Sequence, residues 1–117
     1  NRSKDNRPTG ISFKLEQSGP MKYGAGARFV PVRLDNVFGR AQAYASAAAA
    51  AVGLIFGMNL VKISEALSTG YKPAKGRMEL VPGIKYIYII DDSYNASPYS
   101  MHAALDTLKD LPAKRKN

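Results

Sequence analysis

Five consecutive polar residues, Asp91, Asp92, Ser93, Tyr94 and Asn95, close an apolar run and precede a helix-forming stretch. They gather two carboxylates, a hydroxyl, a phenol and an amide at the carboxyl end of a candidate strand. In open α/β sheets that is where ligands bind, so chemistry, if this chain carries any, belongs there. A metal cluster built on histidine or cysteine is excluded, because the sequence holds one histidine and no cysteine. Disulfides, zinc-thiolate sites and cysteine nucleophiles fall with it. The single histidine, His102, lies beside the apolar stripe of a helix and reads as a surface or half-buried structural residue.

The elements that must hold this cluster can be read on either side of it. Ile84, Tyr86, Tyr88 and Ile90 alternate with Ile87 and Ile89, so both faces of an extended segment are apolar. That pattern predicts a central, parallel strand covered by helices on each side. After the cluster, Ser97 is the expected N-cap and Pro98 the first helical residue, where a missing N–H is harmless. Met101, Ala104, Leu105 and Leu108 form the stripe predicted to be buried, with Asp106, Lys109 and Asp110 on the solvated side.

The run IIDDSYNASPYSMHAAL, preceded by Gly76, Arg77, Met78 and Glu79, resembles the start of the C-terminal domain of the Mur ligases, ATP-dependent enzymes that extend the peptidoglycan precursor. The DDSYNA pattern followed by Pro and a Ser-Met pair is similar to the branch that joins D-alanyl-D-alanine to UDP-MurNAc-tripeptide. The resemblance is strong over residues 75–111 and weaker back to residue 28.

The rest of the chain is consistent with that placement. At 117 residues it is at most one domain of ordinary size, and 45% apolar with 22% charged residues is the composition of a folded protein. The net charge of +8 raises the question of nucleic acid. The charge is spread, with eight basic against three acidic residues before position 41 and one short run, Lys114, Arg115 and Lys116. No RNA- or DNA-binding signature accompanies it, so a solvated basic surface and tail is the favoured reading.

Residues 1–9 are polar and read as a disordered or truncated end, with no signal peptide. Period-two alternation predicts strands over 10–17 and 29–34, joined across a Gly-rich segment, 18–28. Gly24 and Gly26 mimic a nucleotide-binding turn, but Phe29 stands where a third glycine would be. Residues 41–61 carry no charge, a length that would reach across a bilayer. Their alanine content, with Gln42, Ser46, Gly53, Gly57 and Asn59, predicts a buried helix of a water-soluble fold instead, in which small residues permit close packing. No membrane span is expected. An amphipathic helix follows over 59–68, with Leu60, Ile63, Ala66 and Leu67 inward and Gly70 at its end. YKPAKG, residues 71–76, is the predicted domain boundary. A short strand over 77–81 and a Pro82-Gly83 turn lead into the acidic strand.

The resemblance implies an α/β fold: residues 10–72 as the end of a central ATP-binding domain, and 73–117 as the first strand-helix unit of a Rossmann-like C-terminal domain. It implies a fragment of a larger cytoplasmic ligase whose phosphate-cradling loop precedes residue 1, since no G-x-x-x-x-G-K-[ST] occurs here. No turnover is then expected from the chain alone. ATP and Mg2+ are the implied cofactors. The implied partners are UDP-MurNAc-peptide, D-alanyl-D-alanine and the rest of the ligase chain, with no nucleic acid. Arg77 matches the arginine that reaches the ATP phosphate and ribose, and Asp92 the aspartate that takes ribose hydroxyls. The resemblance further implies that Tyr94 and Asn95 line the same nucleotide edge. Without the family, Arg77 reads equally as a surface ion-pair residue, Asp91 as a turn residue and Asn95 as a loop cap.

One stretch departs from the family pattern. Gly39, Arg40, Ala41, Gln42 and Ala45 stand where a histidine and two asparagines are usual. Gln42 can replace one of them, as its amide can pair with the adenine edge. From other functional classes, a small basic nucleic-acid-binding module and a non-catalytic remnant of the ligase fold remain as alternatives.

Overall fold

A computed structural model describes residues 9–18, 28–85 and 87–111. The polar start, the Gly-rich connection with its Gly24 and Gly26, Tyr86 and the basic tail lie outside the described residues. The element order is β1 (Gly10–Glu16), β2 (Phe29–Asp35), α1 (Arg40–Ile55), α2 (Leu60–Gly70), β3 (Glu79–Pro82), β4 (Tyr88–Asp91) and α3 (Pro98–Asp110). The Cα radius of gyration is 16.1 Å, above the roughly 13 Å of a compact domain of this length. The two small sheets do not share one buried cluster among the described residues.

The first half is built by alternation. β1 and β2 pair antiparallel, with Ile11 opposite Leu34, Phe13 opposite Val32 and Leu15 opposite Val30. These six apolar side chains share one face because side chains alternate along a strand. The other face is exposed and carries Phe29 and Pro31 beside ion pairs from Lys14 to Glu16 at 3.2 Å and from Arg33 to Asp35 at 2.8 Å. Val37, Ala50, Leu60 and Ile63 complete the buried cluster. The Ser64 hydroxyl, donating to the Pro31 carbonyl at 2.6 Å, ties α2 to β2.

The two helices meet through a glycine. α1 ends in a Schellman-type turn: the Met58 N–H donates to the Gly53 carbonyl, the Gly57 N–H to the Leu54 carbonyl, and Gly57 has φ +82°. α2 then starts on Asn59, whose side-chain oxygen accepts from the Lys62 N–H at 2.9 Å. At Gly53 a Cβ would sit 3.1 Å from Ile63 Cδ1, so the small residue serves helix-to-helix approach.

The Ala-rich helix corrects the sequence expectation of burial. Of α1 only Ser46 and Ala50 are buried, and Tyr44, Val52 and Ile55 are exposed. The two buried positions stand four apart, one narrow stripe on a cylinder, and only that stripe is covered. No helix among the described residues is long and apolar enough to cross a membrane.

The second half corrects two further expectations. β4 is antiparallel to β3, with Glu79 opposite Asp91 and Val81 opposite Ile89, not a parallel central strand. A connection of a few residues permits only the antiparallel arrangement. Here the Gly83 N–H donates to the Ile87 carbonyl and the Ile87 N–H to the Ile84 carbonyl, while Lys85 takes φ +54°. Positive φ at Lys85 ends the extended run that alternation predicted from residue 84. Ile87 and Ile89 are more than half exposed. α3 begins as expected, with Ser97 as N-cap and Pro98 in the first turn, in a reciprocal capping box with Ser100. Its Met101 and Leu105 are exposed, Ala104 and Leu108 are half-buried and none of its residues is fully buried, so the predicted stripe is only partly covered among the described residues.

Candidate functional site

Two short segments of the second half are fastened to each other. Gly76 has φ +69°, and a Cβ there would come within 3.2 Å of the Tyr94 nitrogen. Only glycine meets both demands without strain. The Tyr94 N–H donates to the Gly76 carbonyl at 3.0 Å. Two residues on, the Met78 N–H donates to Asp92 Oδ1 at 3.1 Å. Met78 itself has φ +52°, a conformation that costs a non-glycine residue about 1–2 kcal/mol and that these bonds offset. The turn carrying Arg77 is thereby bound to the loop carrying the acidic cluster.

Arg77 leans over that loop, its guanidinium 4.4 Å from the centroid of the Tyr94 ring. Beneath it opens a depression of about 160 Å³ lined by Arg77, Asp92, Tyr94, Asn95, Ser97 and Ser100. Such a volume falls below the roughly 300 Å³ at which ligand pockets usually begin. It suits a sugar or phosphate group, not a whole nucleotide.

The polar groups around the depression differ in what they have left to offer. Ser97 and Ser100 are engaged with one another: the Ser100 N–H donates to Ser97 Oγ at 3.1 Å and the Ser97 N–H to Ser100 Oγ at 2.9 Å. Asn95 Oδ1 accepts from the Ala96 N–H at 2.8 Å, which leaves its NH2 as donor. Asp91 turns away to its own loop, where Oδ1 accepts from the Ser93 N–H at 3.1 Å. The Ser93 hydroxyl, with that N–H, holds the Asp91 carboxyl below its ordinary value of 3.8. Among the described residues the Arg77 donor fork, Asp92 Oδ2 and the Asn95 NH2 carry no hydrogen bond, and all three residues line the depression.

Four of the five residues singled out from sequence, Arg77, Asp92, Tyr94 and Asn95, therefore meet in one place. Gln42 is not among the lining residues; its Oε1 accepts from the Tyr71 hydroxyl. Ser97 is legible in the sequence only as a helix cap and Ser100 only as part of the Ser-Met pair; the Ser-x-x-Ser spacing after the acidic cluster is the signal that both stand here. Among the described residues no group of three histidine, cysteine or acidic side chains gathers that could hold a metal ion.

Compared with known proteins, the chain matches no family model. It is 36% identical over 73 residues to the UDP-N-acetylmuramoyl-tripeptide–D-alanyl-D-alanine ligase of Mycobacterium leprae, an alignment covering 62% of this chain and 14% of that protein. The crystal structure of MurF from Acinetobacter baumannii shares the fold with a TM-score of 0.65 at 33% identity, over 73% of this chain and 18% of that one. The chain thus spans less than a fifth of the length of either relative. In its motif, its sequence identity and its fold alike, the chain is similar to the Mur ligases, in the branch represented by UDP-N-acetylmuramoyl-tripeptide–D-alanyl-D-alanine ligase.

Proposed function

We propose that this chain supplies one wall of the nucleotide cleft of a cytoplasmic, ATP-dependent ligase that forms an amide bond on a peptidoglycan precursor, adding D-alanyl-D-alanine to UDP-MurNAc-tripeptide. Residues 10–72 close the central ATP-binding domain, and 73–117 open the C-terminal domain that swings over the nucleotide. The observation that carries this reading is the convergence of Arg77, Asp92, Tyr94 and Asn95 on one depression.

The roles follow from the groups left available. Amide formation through an acyl phosphate depends on positioning and on neutralising phosphoryl charge. The Arg77 guanidinium faces the phosphates with paired donors, and the Tyr94 ring beneath it keeps the fork oriented. Asp92 Oδ2 accepts from a ribose hydroxyl while the Asn95 NH2 donates to a neighbouring oxygen. A depression of about 160 Å³ admits only that part of ATP, so the opposite wall and the phosphate-cradling loop come from elsewhere in the assembled ligase. Mg2+ bound in the whole enzyme would supply further neutralisation of phosphoryl charge. Gln42 stands as the candidate for the adenine edge, provided the Tyr71 hydroxyl releases it.

Titrating the chain with MgATP and following its amide and arginine side-chain NMR signals tests the reading. Shifts concentrated at 77–78 and 92–95, reduced about tenfold or more in apparent affinity by Arg77→Ala, are expected. A salt-dependent response to unrelated oligonucleotides with none to ATP would replace it with a nucleic-acid module.

A further inference from the structure

The geometry points to a divided Asp92: its Oδ1 is a structural brace that positions Arg77, and only Oδ2 is free for a ligand. The inference deepens the nucleotide reading above and rests on it for the ligand half alone.

Arg77 is exposed, and an exposed arginine loses several freely rotating bonds' worth of entropy when it is held. Its orientation over Tyr94 at 4.4 Å therefore needs the backbone beneath it to be fixed. Three bonds do this. The Arg77 N–H donates to the Ala74 carbonyl at 3.2 Å, and Tyr94 N–H to the Gly76 carbonyl at 3.0 Å. The third is Met78 N–H to Asp92 Oδ1 at 3.1 Å, and of the three it alone uses a side chain.

That third bond lies immediately after Arg77, at a residue whose φ of +52° would otherwise relax toward negative values. With the brace, the peptide carrying Arg77 is clamped on both sides, at Gly76 and at Met78, to the loop that holds its aromatic partner. Asp92 Oδ2 carries no hydrogen bond among the described residues, and Asp92 lines the depression. One carboxylate thus sets the arginine and faces the ligand at once. Asp92 is by this account a positioning residue for Arg77 as well as a binding group.

Two substitutions separate the halves. Asp92→Asn keeps an oxygen acceptor for the Met78 N–H and removes the charge; Asp92→Leu keeps the bulk and removes both. In the unliganded 117-residue chain, Met78 amide hydrogen exchange reads the brace, and the ring-current shift of the Arg77 δ protons reads the stacking on Tyr94. Exchange at Met78 is expected about tenfold or more faster in Asp92→Leu, with the Arg77 shift lost, and both close to wild type in Asp92→Asn. Val32 and Leu34 methyl signals report whether the first half stays folded. An unchanged Met78 exchange and Arg77 shift in Asp92→Leu would overturn the brace. Should Asp92→Leu unfold the second half, the scalar coupling across the hydrogen bond between the Met78 N–H and the Asp92 carboxyl carbon in the wild-type chain decides: its presence supports the brace and its absence refutes it. Absence of any MgATP response with these signals intact counts against the nucleotide reading and leaves the brace standing.

Discussion

The Arg77 guanidinium lies 4.4 Å from the centroid of the Tyr94 ring, across two segments that sequence alone separates by a strand hairpin. Each partner limits the other's freedom, and the exposed arginine gains a fixed direction it would not have as an isolated surface charge. Replacing Tyr94 by Leu is expected to remove about 0.5–1 kcal/mol from the stability of the second half. Arg77→Ala should cost a similar amount, and the double variant less than the sum. A double-mutant cycle read by denaturant unfolding checks it; strict additivity would mean that the rings and charge merely lie near each other.

Asp91 supplies a pH dependence whose sign is set by its neighbours. The Ser93 hydroxyl and N–H bond to its ionised form and lower its folded pKa below 3.8. A depressed carboxyl contributes stability that is present above the unfolded value and lost as the pH falls through the folded one. The loop should thus hold at pH 5 and loosen below pH 4 or so. Following the Asp91 carboxyl carbon by NMR is expected to give a midpoint below 3.8, rising toward that value in Ser93→Ala. A midpoint above it in the wild-type chain would contradict the bonding pattern.

Stability should be unevenly distributed between the halves. Leu34 is 1% exposed and Leu105 57%, although both occupy apolar positions of regular elements. Leu34→Ala is expected to destabilise the chain by about 2–5 kcal/mol, while Leu105→Ala should stay within about 0.5 kcal/mol. Thermal or urea unfolding of the two variants decides it, and equal losses would mean that α3 is covered in solution.

Gly53 predicts a steric response. A Cβ there would stand 3.1 Å from Ile63 Cδ1 and 3.2 Å from Cγ1, and Ile63 is itself 4% exposed. Gly53→Val should force α1 and α2 apart at a cost of about 1–3 kcal/mol. Shortening the opposing side chain in Ile63→Val is expected to recover part of that loss, a non-additivity measurable by the same unfolding experiments.

Cross-strand charge offers a route to a more stable hairpin. Glu79 and Asp91 stand opposite each other in the β3–β4 ladder, an arrangement of like charges that disfavours pairing. Glu79→Thr, which adds strand propensity and removes the repulsion, should raise stability by about 0.2–1 kcal/mol. Amide exchange of Leu80 and Ile90 would slow accordingly, and faster exchange would show that Glu79 has a supporting role the register conceals.

Local chemistry in the sequence determined the pieces. Alternation specified β1 and β2 because only one face of that hairpin can be dry, and Ser97-Pro98 specified the start of α3 because a helix needs its first N–H groups satisfied or absent. The motif DDSYNA with Arg77 ahead of it named four residues that do meet. Tertiary structure alone decided what lies between and against those pieces. The turn at Lys85 made β4 antiparallel, since a short connection cannot return the chain in the same direction. Periodicity marks which face of a helix is apolar, not whether anything arrives to cover it, so the stripes of α1 and α3 could be read and their exposure could not. Likewise no spacing rule places the Met78 N–H on Asp92 or the Tyr71 hydroxyl on Gln42, because these bonds depend on a left-handed residue and on where a linker leaves its helix.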